Sequence, residues 1–272
     1  MCAGYVNMSE ENKHLSDELR DLLRLDGYPV AVKLIDKLEE FERLHLQHPK
    51  QPSALCRVVV WARYARRRYL CTANDLTQCW GGLATLGLAE MPEDVREGKR
   101  YAGWELINED ASRKFVEALP KFEVGTYKAV LISSLEICPI NPDVVLFFGN
   151  SAQITVLNAA YLYDKGGDLT FKMSTAVGCA YAITEPIKTG KPNLVIPCNG
   201  MRLLALPNEN DIIFAIPFMF LKDLLNGVKF LHQRGGPRYP PGWQHIYWQP
   251  EPPITYITDP KGPGPIWLMR QK

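Results

Sequence analysis

The 272-residue chain has no apolar run long enough to cross a bilayer. Its most apolar late stretch, Ile212 to Leu221, is interrupted by Pro217 and has about half the ~20 residues that a spanning helix needs. Charge of neither sign is in surplus. Lys and Arg number 31 and Asp and Glu 30, for a formal net charge of +1. That argues against binding nucleic acid by phosphate neutralisation and against attachment to an anionic membrane. The first residues, Met1-Cys2-Ala3-Gly4-Tyr5, lack the basic flank and apolar stretch of a secretory signal, so a cytoplasmic setting is expected.

Several chemical signatures are missing. Histidine is scarce, with five residues and no H-E-x-x-H; His45 and His48 flank a proline loop and read as surface residues. Gly190-Lys191 lacks the upstream glycine of a phosphate-binding loop. No G-x-G-x-x-G follows a strand, and no G-x-S-x-G elbow occurs. Nucleotide-dependent chemistry and serine hydrolysis therefore find no support. There is also no C-x₂-C pair, the mark of a zinc ribbon or a bacterial ferredoxin.

What is present is an ordinary soluble composition, 46% hydrophobic and 22% charged, in a chain long enough to bury a real core. Leucines at 15, 19, 22 and 23 predict an amphipathic helix over residues 15–25 that stops at Asp26-Gly27. Val30 to Ile35 reads as a strand, and Asp36 to Leu46 and Cys56 to Tyr69 as helices. Arg66-Arg67-Arg68 reads as a solvated helix face. Val144 to Phe148 is a buried strand, followed by a helix from Ser151, its N-cap, to Tyr163. Leu194 to Pro197 and Asp211 to Ile216 are strands, and Phe218 to His232 is a closing helix. Residues 233–272 hold nine of the 21 prolines and three of the six tryptophans. Proline denies them a regular element and the tryptophans need a surface to bury against. They are expected to form an extended arm over their own domain or over a neighbouring subunit, the latter making a homodimer.

Seven cysteines are the main chemical lead, because in a reducing compartment free thiols are buried, catalytic or metal-bound. Two stretches share a grammar. Pro29, an apolar strand and Cys56 precede Cys79-Trp80-Gly81; Pro142, an apolar strand and Cys179 precede Cys198-Asn199-Gly200. The cysteine intervals are 23 and 19 residues. A duplication with repeats at 15–90 and 130–217 would bring Cys56, Cys79, Cys179 and Cys198 to one point. Four thiolates at one point suit a [4Fe–4S] cluster. Nearby glycines would let the backbone approach it, Arg57 or Arg202 would balance its charge, and Trp80 would limit solvent. From the residues alone three readings stay open: a cluster, buried structural cysteines, or a reactive thiolate at Cys79 or Cys198. Cys2, Cys71 and Cys138 fall outside the pattern.

The segments "PVAVKL" (29–34), "CRVVVWARYARRRYLCTANDLTQCWGGLATLGL" (56–88), "PDVVLFFGNSAQ" (142–153) and "NLVIPCNGMR" (193–202), with "IIFAIP" (212–217), resemble the domain-of-unknown-function-169 family of archaea and anaerobic bacteria. The resemblance covers roughly residues 15 to 232. It implies cysteines at the four positions above and an arginine at Arg202, and its anaerobic distribution favours an oxygen-sensitive iron–sulfur centre over zinc.

The expected architecture is α+β. A single domain over residues 1–232, with a mixed sheet, packed helices and two similar halves, precedes the Pro/Trp-rich arm at 233–272. The expected function is an iron–sulfur protein in electron transfer or in reduction of a small molecule. Asn150, Gln153, Asn199, Gly200 and Arg202 are candidates to line the adjoining cleft, since they follow predicted strands or open a helix. The redox partner and ligand are unknown. A cluster-free binding or assembly protein is the alternative.

Overall fold

The structure is a computed structural model that describes residues 2–240 apart from 42, 43 and 45, with side chains described from residue 9 onward except that of residue 40. The proposed arm lies outside it beyond residue 240. Helix α1 (Cys2–Leu23) leads into β1 (Val30–Ile35), followed by α2 (Leu55–Ala65) and β2 (Arg68–Thr72). Helices α3 (Trp80–Thr85), α4 (Glu93–Arg96) and α5 (Glu109–Ala118) precede β3 (Ala129–Ser134). The chain continues through β4 (Val144–Gly149), α6 (Ser151–Leu162), a π-helical turn (Ala180–Thr184) and α7 (Glu185–Thr189). It ends with β5 (Asn193–Val195), α8 (Asn199–Ala205), β6 (Ile212–Pro217) and α9 (Leu221–Arg234).

The six strands form one sheet in the order β2-β3-β1-β4-β6-β5, making the protein α+β. Period-two alternation gives it two apolar faces. Val30, Val32, Val144 and Leu146 face a core shared with α2, the π turn and α8. Ala31, Ile35, Val145 and Phe147 face a second core under α1, α6 and α9. With both faces covered, β3 and β4 are buried at every position. No helix among the described residues is long and apolar enough to cross a membrane.

Where a mixed sheet was expected, every pairing of the six strands is antiparallel. Parallel pairing occurs as isolated bridges, Gln47 with Tyr69 and Ala102 with Leu106. Strand–helix alternation suggests parallel crossovers, but hydrophobic periodicity carries no strand direction, and here the helices cover the faces between antiparallel neighbours.

The strand order reads alike outward from the central pair, in which Ala31 stands opposite Val145. β3 and β6 flank that pair, and β2 and β5 are the edges. The chain enters each edge strand from a segment carrying Cys56 or Cys179 and leaves it into Cys79 or Cys198. The ranges 15–90 and 130–217 do not divide the sheet this way. β3 falls in the second range but completes the first half, because the chain inserts α4 and α5 before reaching it.

Three helical expectations are corrected. Among the described residues of 36–46 there is no α-helix; a 3₁₀ turn spans Leu38–Glu40 and Leu44 is again 3₁₀. Phe41 N–H donates to the Leu38 carbonyl and Leu44 N–H to the Phe41 carbonyl, so Leu38, Phe41 and Leu44 reach the core at a spacing of three. Helix α2 stops at Ala65, where Arg66 takes φ +50°, and Arg68–Thr72 pairs with β3 as an edge strand. The N-cap of α6 is Asn150 rather than Ser151. Its side chain accepts from Gln153 N–H at 3.0 Å while Gln153 Oε1 accepts from Asn150 N–H at 2.8 Å, a reciprocal capping box.

Candidate functional site

The four cysteines of the repeated pattern all stand at helix starts. Cys56 is the second residue of α2; Cys79, Cys179 and Cys198 are the N-caps of α3, the π turn and α8. None of the four starts has a side-chain cap. Their first amides are therefore available to sulfur, the kind of donor that stabilises thiolate charge. Gly178 N–H donates to Cys198 Sγ at 3.4 Å. A Cβ at Gly178 would lie in ordinary contact with that sulfur, 3.6 Å away.

Cys56 and Cys179 are buried, and Cys79 and Cys198 are half-buried against the same core. The Cys56 thiol is pushed up to about 12, first by burial and then by negative charge on Cys79 and Cys198, while the Arg57 amide acts the other way. The Cys179 thiol is raised well above the usual range, again by burial first and then by Cys79, Cys56 and Cys198. The Cys179 thiol thus responds to charge on all three of the others, and Cys56 to that on Cys79 and Cys198. Among the described residues no three His, Cys, Asp or Glu side chains stand placed to chelate one common ion.

The surrounding shell is well tied. Arg57 donates from Nε to the Leu204 carbonyl at 2.5 Å and from its terminal nitrogen to Gln78 Oε1 at 3.0 Å, joining α2, α8 and the loop before Cys79. Thr85 Oγ1 donates to the Gly81 carbonyl, and Thr184 Oγ1 to the Thr85 carbonyl, linking α3 to the π turn. Buried Asn193 donates to the carbonyls of Lys172 and Tyr181 and accepts from Lys172 N–H, anchoring the π turn that follows Cys179. Val177 is held at φ +54°, an unusual conformation for a β-branched residue, two positions before Cys179.

Beside Cys79 lies a cavity of about 460 Å³ between the loop at 77–80, residues 90–104 and α8. Trp80, Tyr101 and Trp104 supply its aromatic surface. Trp80 meets Tyr101 edge-on at 6.1 Å and Tyr101 stacks on Trp104 at 6.2 Å. The Tyr101 hydroxyl is raised by burial, against the pull of the Trp80 indole, and then by charge on Cys79, Glu105 and Cys198.

Of the expected cleft residues, Gly200 lines this cavity, and Asn199 Nδ2 donates to Glu105 Oε1 at 3.3 Å nearby. Arg202 turns towards the far end of α8, donating to the Glu209 carbonyl at 3.3 Å. The expectation that Asn150 and Gln153 join them is corrected. They cap α6, the helix over the opposite face of the sheet, and Gln153 Nε2 is spent on the Leu23 and Arg24 carbonyls. Asn150 Nδ2 donates to the Tyr239 hydroxyl. A polar residue after a strand faces whichever layer its helix covers, and strand position alone does not say which. Tyr101, Trp104, Val177 and Glu105 carried no sequence signal beyond the Tyr-x-x-Trp spacing.

Outside the group, Cys71 is buried in a strand and Cys138 is buried with its Sγ donating to the Ile140 carbonyl at 3.1 Å. Arg66, Arg67 and Arg68 are exposed.

An antiparallel α+β sheet with four cysteines gathered at its helix starts defines the class of this protein. The family profile described as uncharacterised ArCR, DUF169, matches residues 18–227, and the chain belongs to that family. It is similar to the uncharacterised protein MJ0308 of Methanocaldococcus jannaschii, with 30% identity over 231 residues, 84% of this chain and 97% of the relative. No solved structure matches the chain.

Proposed function

We propose that Cys56, Cys79, Cys179 and Cys198 hold a [4Fe–4S] cluster that serves electron transfer or reduction of a small molecule in the cavity beside Cys79. The observation that carries this reading is that all four cysteines stand at uncapped helix starts, with the charge of the other three acting on buried Cys179. A metal centre at the buried Cys56 and Cys179 thiols would take up the charge that burial otherwise disfavours there. A single tetrahedral zinc would ask for sulfurs about 3.8 Å apart, from Zn–S bonds of about 2.3 Å. A polynuclear cluster accepts four thiolates set further apart, and amide donors such as Gly178 N–H suit its sulfurs. The six cysteines with described side chains are all free thiols, as a reducing setting would leave them.

The decisive measurement is iron and acid-labile sulfide per chain on anaerobically purified protein, with zinc counted in the same sample. About four of each are expected, with broad absorption near ~400 nm, a brown colour that typifies thiolate-bound iron–sulfur centres. Both should fall together in Cys198→Ala and persist in Cys71→Ala. Iron-free protein under those conditions would overturn the reading in favour of zinc or structural cysteines.

A further inference from the structure

The cavity beside Cys79 has a charge pattern that selects its occupant. Arg100 is the cation on its wall, but Nε and a terminal nitrogen both engage Asp94, at 2.6 and 2.9 Å. That bidentate fork is taken and its charge is matched. Glu90, also on the wall, has neither an ion pair nor a hydrogen bond among the described residues. Glu105, in the loop next to Trp104, keeps Oε2 buried and without a hydrogen-bond partner. The Arg57 side chain is not on the cavity wall and is directed to the Leu204 carbonyl and Gln78.

The unmatched charge facing the cavity is therefore negative, and its apolar wall is mainly aromatic. An anion would meet the Glu90 carboxylate with no free fork to receive it. A strongly hydrated metal cation would meet indole faces instead of a cage of oxygens. An alkylated ammonium ion needs no hydrogen bonds, is attracted to aromatic faces and is best served by tryptophan.

We propose that this cavity binds a small alkylammonium ion, its charge towards Glu90 and its alkyl groups against Trp80 and Trp104. The inference deepens the reading above and rests on it for why a ligand should lie beside Cys79. The binding itself does not require iron.

The test uses the full chain, with iron and sulfide counted on the same sample, and tetramethylammonium chloride as the probe. Saturation-transfer NMR on the probe's methyl signal, at fixed ionic strength, should show saturable binding, with acetate giving none. Glu90→Gln and Trp104→Leu each change an exposed residue and should fold. Each should weaken binding by about tenfold or more. No saturable signal, an equal signal in both variants, or stronger binding of acetate would overturn the proposal. Absent binding on iron-loaded protein would remove this inference alone. Saturable binding by iron-free protein would support it while removing the cluster reading.

Discussion

A methyl group added at Gly81 would stand 2.8 Å from Cγ1 of Val177, so the segments carrying Cys79 and Cys179 meet with no room for a side chain between them. Val177 is itself held at φ +54°. The contact ties one cysteine-bearing segment of each half to the other, and the strained backbone persists because both sides are packed.

Gly81→Ala should therefore destabilise the protein by about 1–3 kcal/mol, as overpacking does, and lower its iron content. The double variant Gly81→Ala/Val177→Ala should recover most of the loss, because the obstructing methyls are gone. Urea unfolding with iron counts on all three variants checks this. Additive losses in the double variant would mean that the two residues do not press on one another.

Arg63 is 1% exposed, and its guanidinium spans Asp211 at 2.5 and 3.1 Å and Asp26 at 2.5 Å. Asp211 is 5% exposed, so Arg63→Met would strand a buried carboxylate, at a cost of about 3–5 kcal/mol. The Asp26 side chain is 49% exposed, and Asp26→Asn should cost about 1 kcal/mol or less. Equilibrium denaturation separates the two. Equal losses would show that the interior pair is no more important than the exposed one.

The elements most legible in the sequence were those whose own residues determine them. The apolar runs at Val30–Ile35 and Val144–Phe148 needed only burial, and the leucines of α1 needed only a helical spacing. The four cysteines could be singled out because strand and thiol recur in the same order, and all four stand at helix starts. What the sequence withheld depends on partners distant in the chain. Nothing near Arg63 in sequence announces its partner Asp211, 148 residues away. Asn150 and Gln153 looked like ligand contacts because they open a helix after a strand, yet that helix covers the face away from the cysteines. Tyr101 and Trp104 come from an irregular segment whose position follows from packing alone.

Cys138 gives a pH dependence with a definite sign. Burial raises its thiol from 9.0 to about 12, so the fold favours the protonated form. That stabilisation is whole below pH 9 and is lost as pH rises from 9 towards 12, since the unfolded thiol ionises first. Wild type should lose about 2 kcal/mol more than Cys138→Ala between pH 8 and roughly 10.5. Urea unfolding at the two pH values in both proteins measures it. Parallel losses would show that the Cys138 thiol contributes nothing to alkaline instability.

Asn193 is 2% exposed and uses both ends of its amide. Oδ1 accepts from Lys172 N–H at 2.8 Å, and Nδ2 donates to the carbonyls of Lys172 at 2.8 Å and Tyr181 at 2.9 Å. Asn193→Ala leaves the buried Tyr181 carbonyl and the partly buried Lys172 N–H and carbonyl without this partner and should cost about 1–3 kcal/mol. Asn193→Asp keeps the acceptor but sets a carboxylate against two carbonyl oxygens. Burial and those oxygens would raise its pKa above the unfolded value. Its stability should then be highest when the carboxyl is protonated and fall as pH rises through the raised pKa. Asn193→Asp should thus be less stable at pH 7 than at pH 5 relative to wild type, and the π turn beside Cys179 should loosen with it. Amide hydrogen exchange at Tyr181 and Ala182 at the two pH values reads that loosening directly. Equal protection at both would mean that Asn193 does not hold the turn.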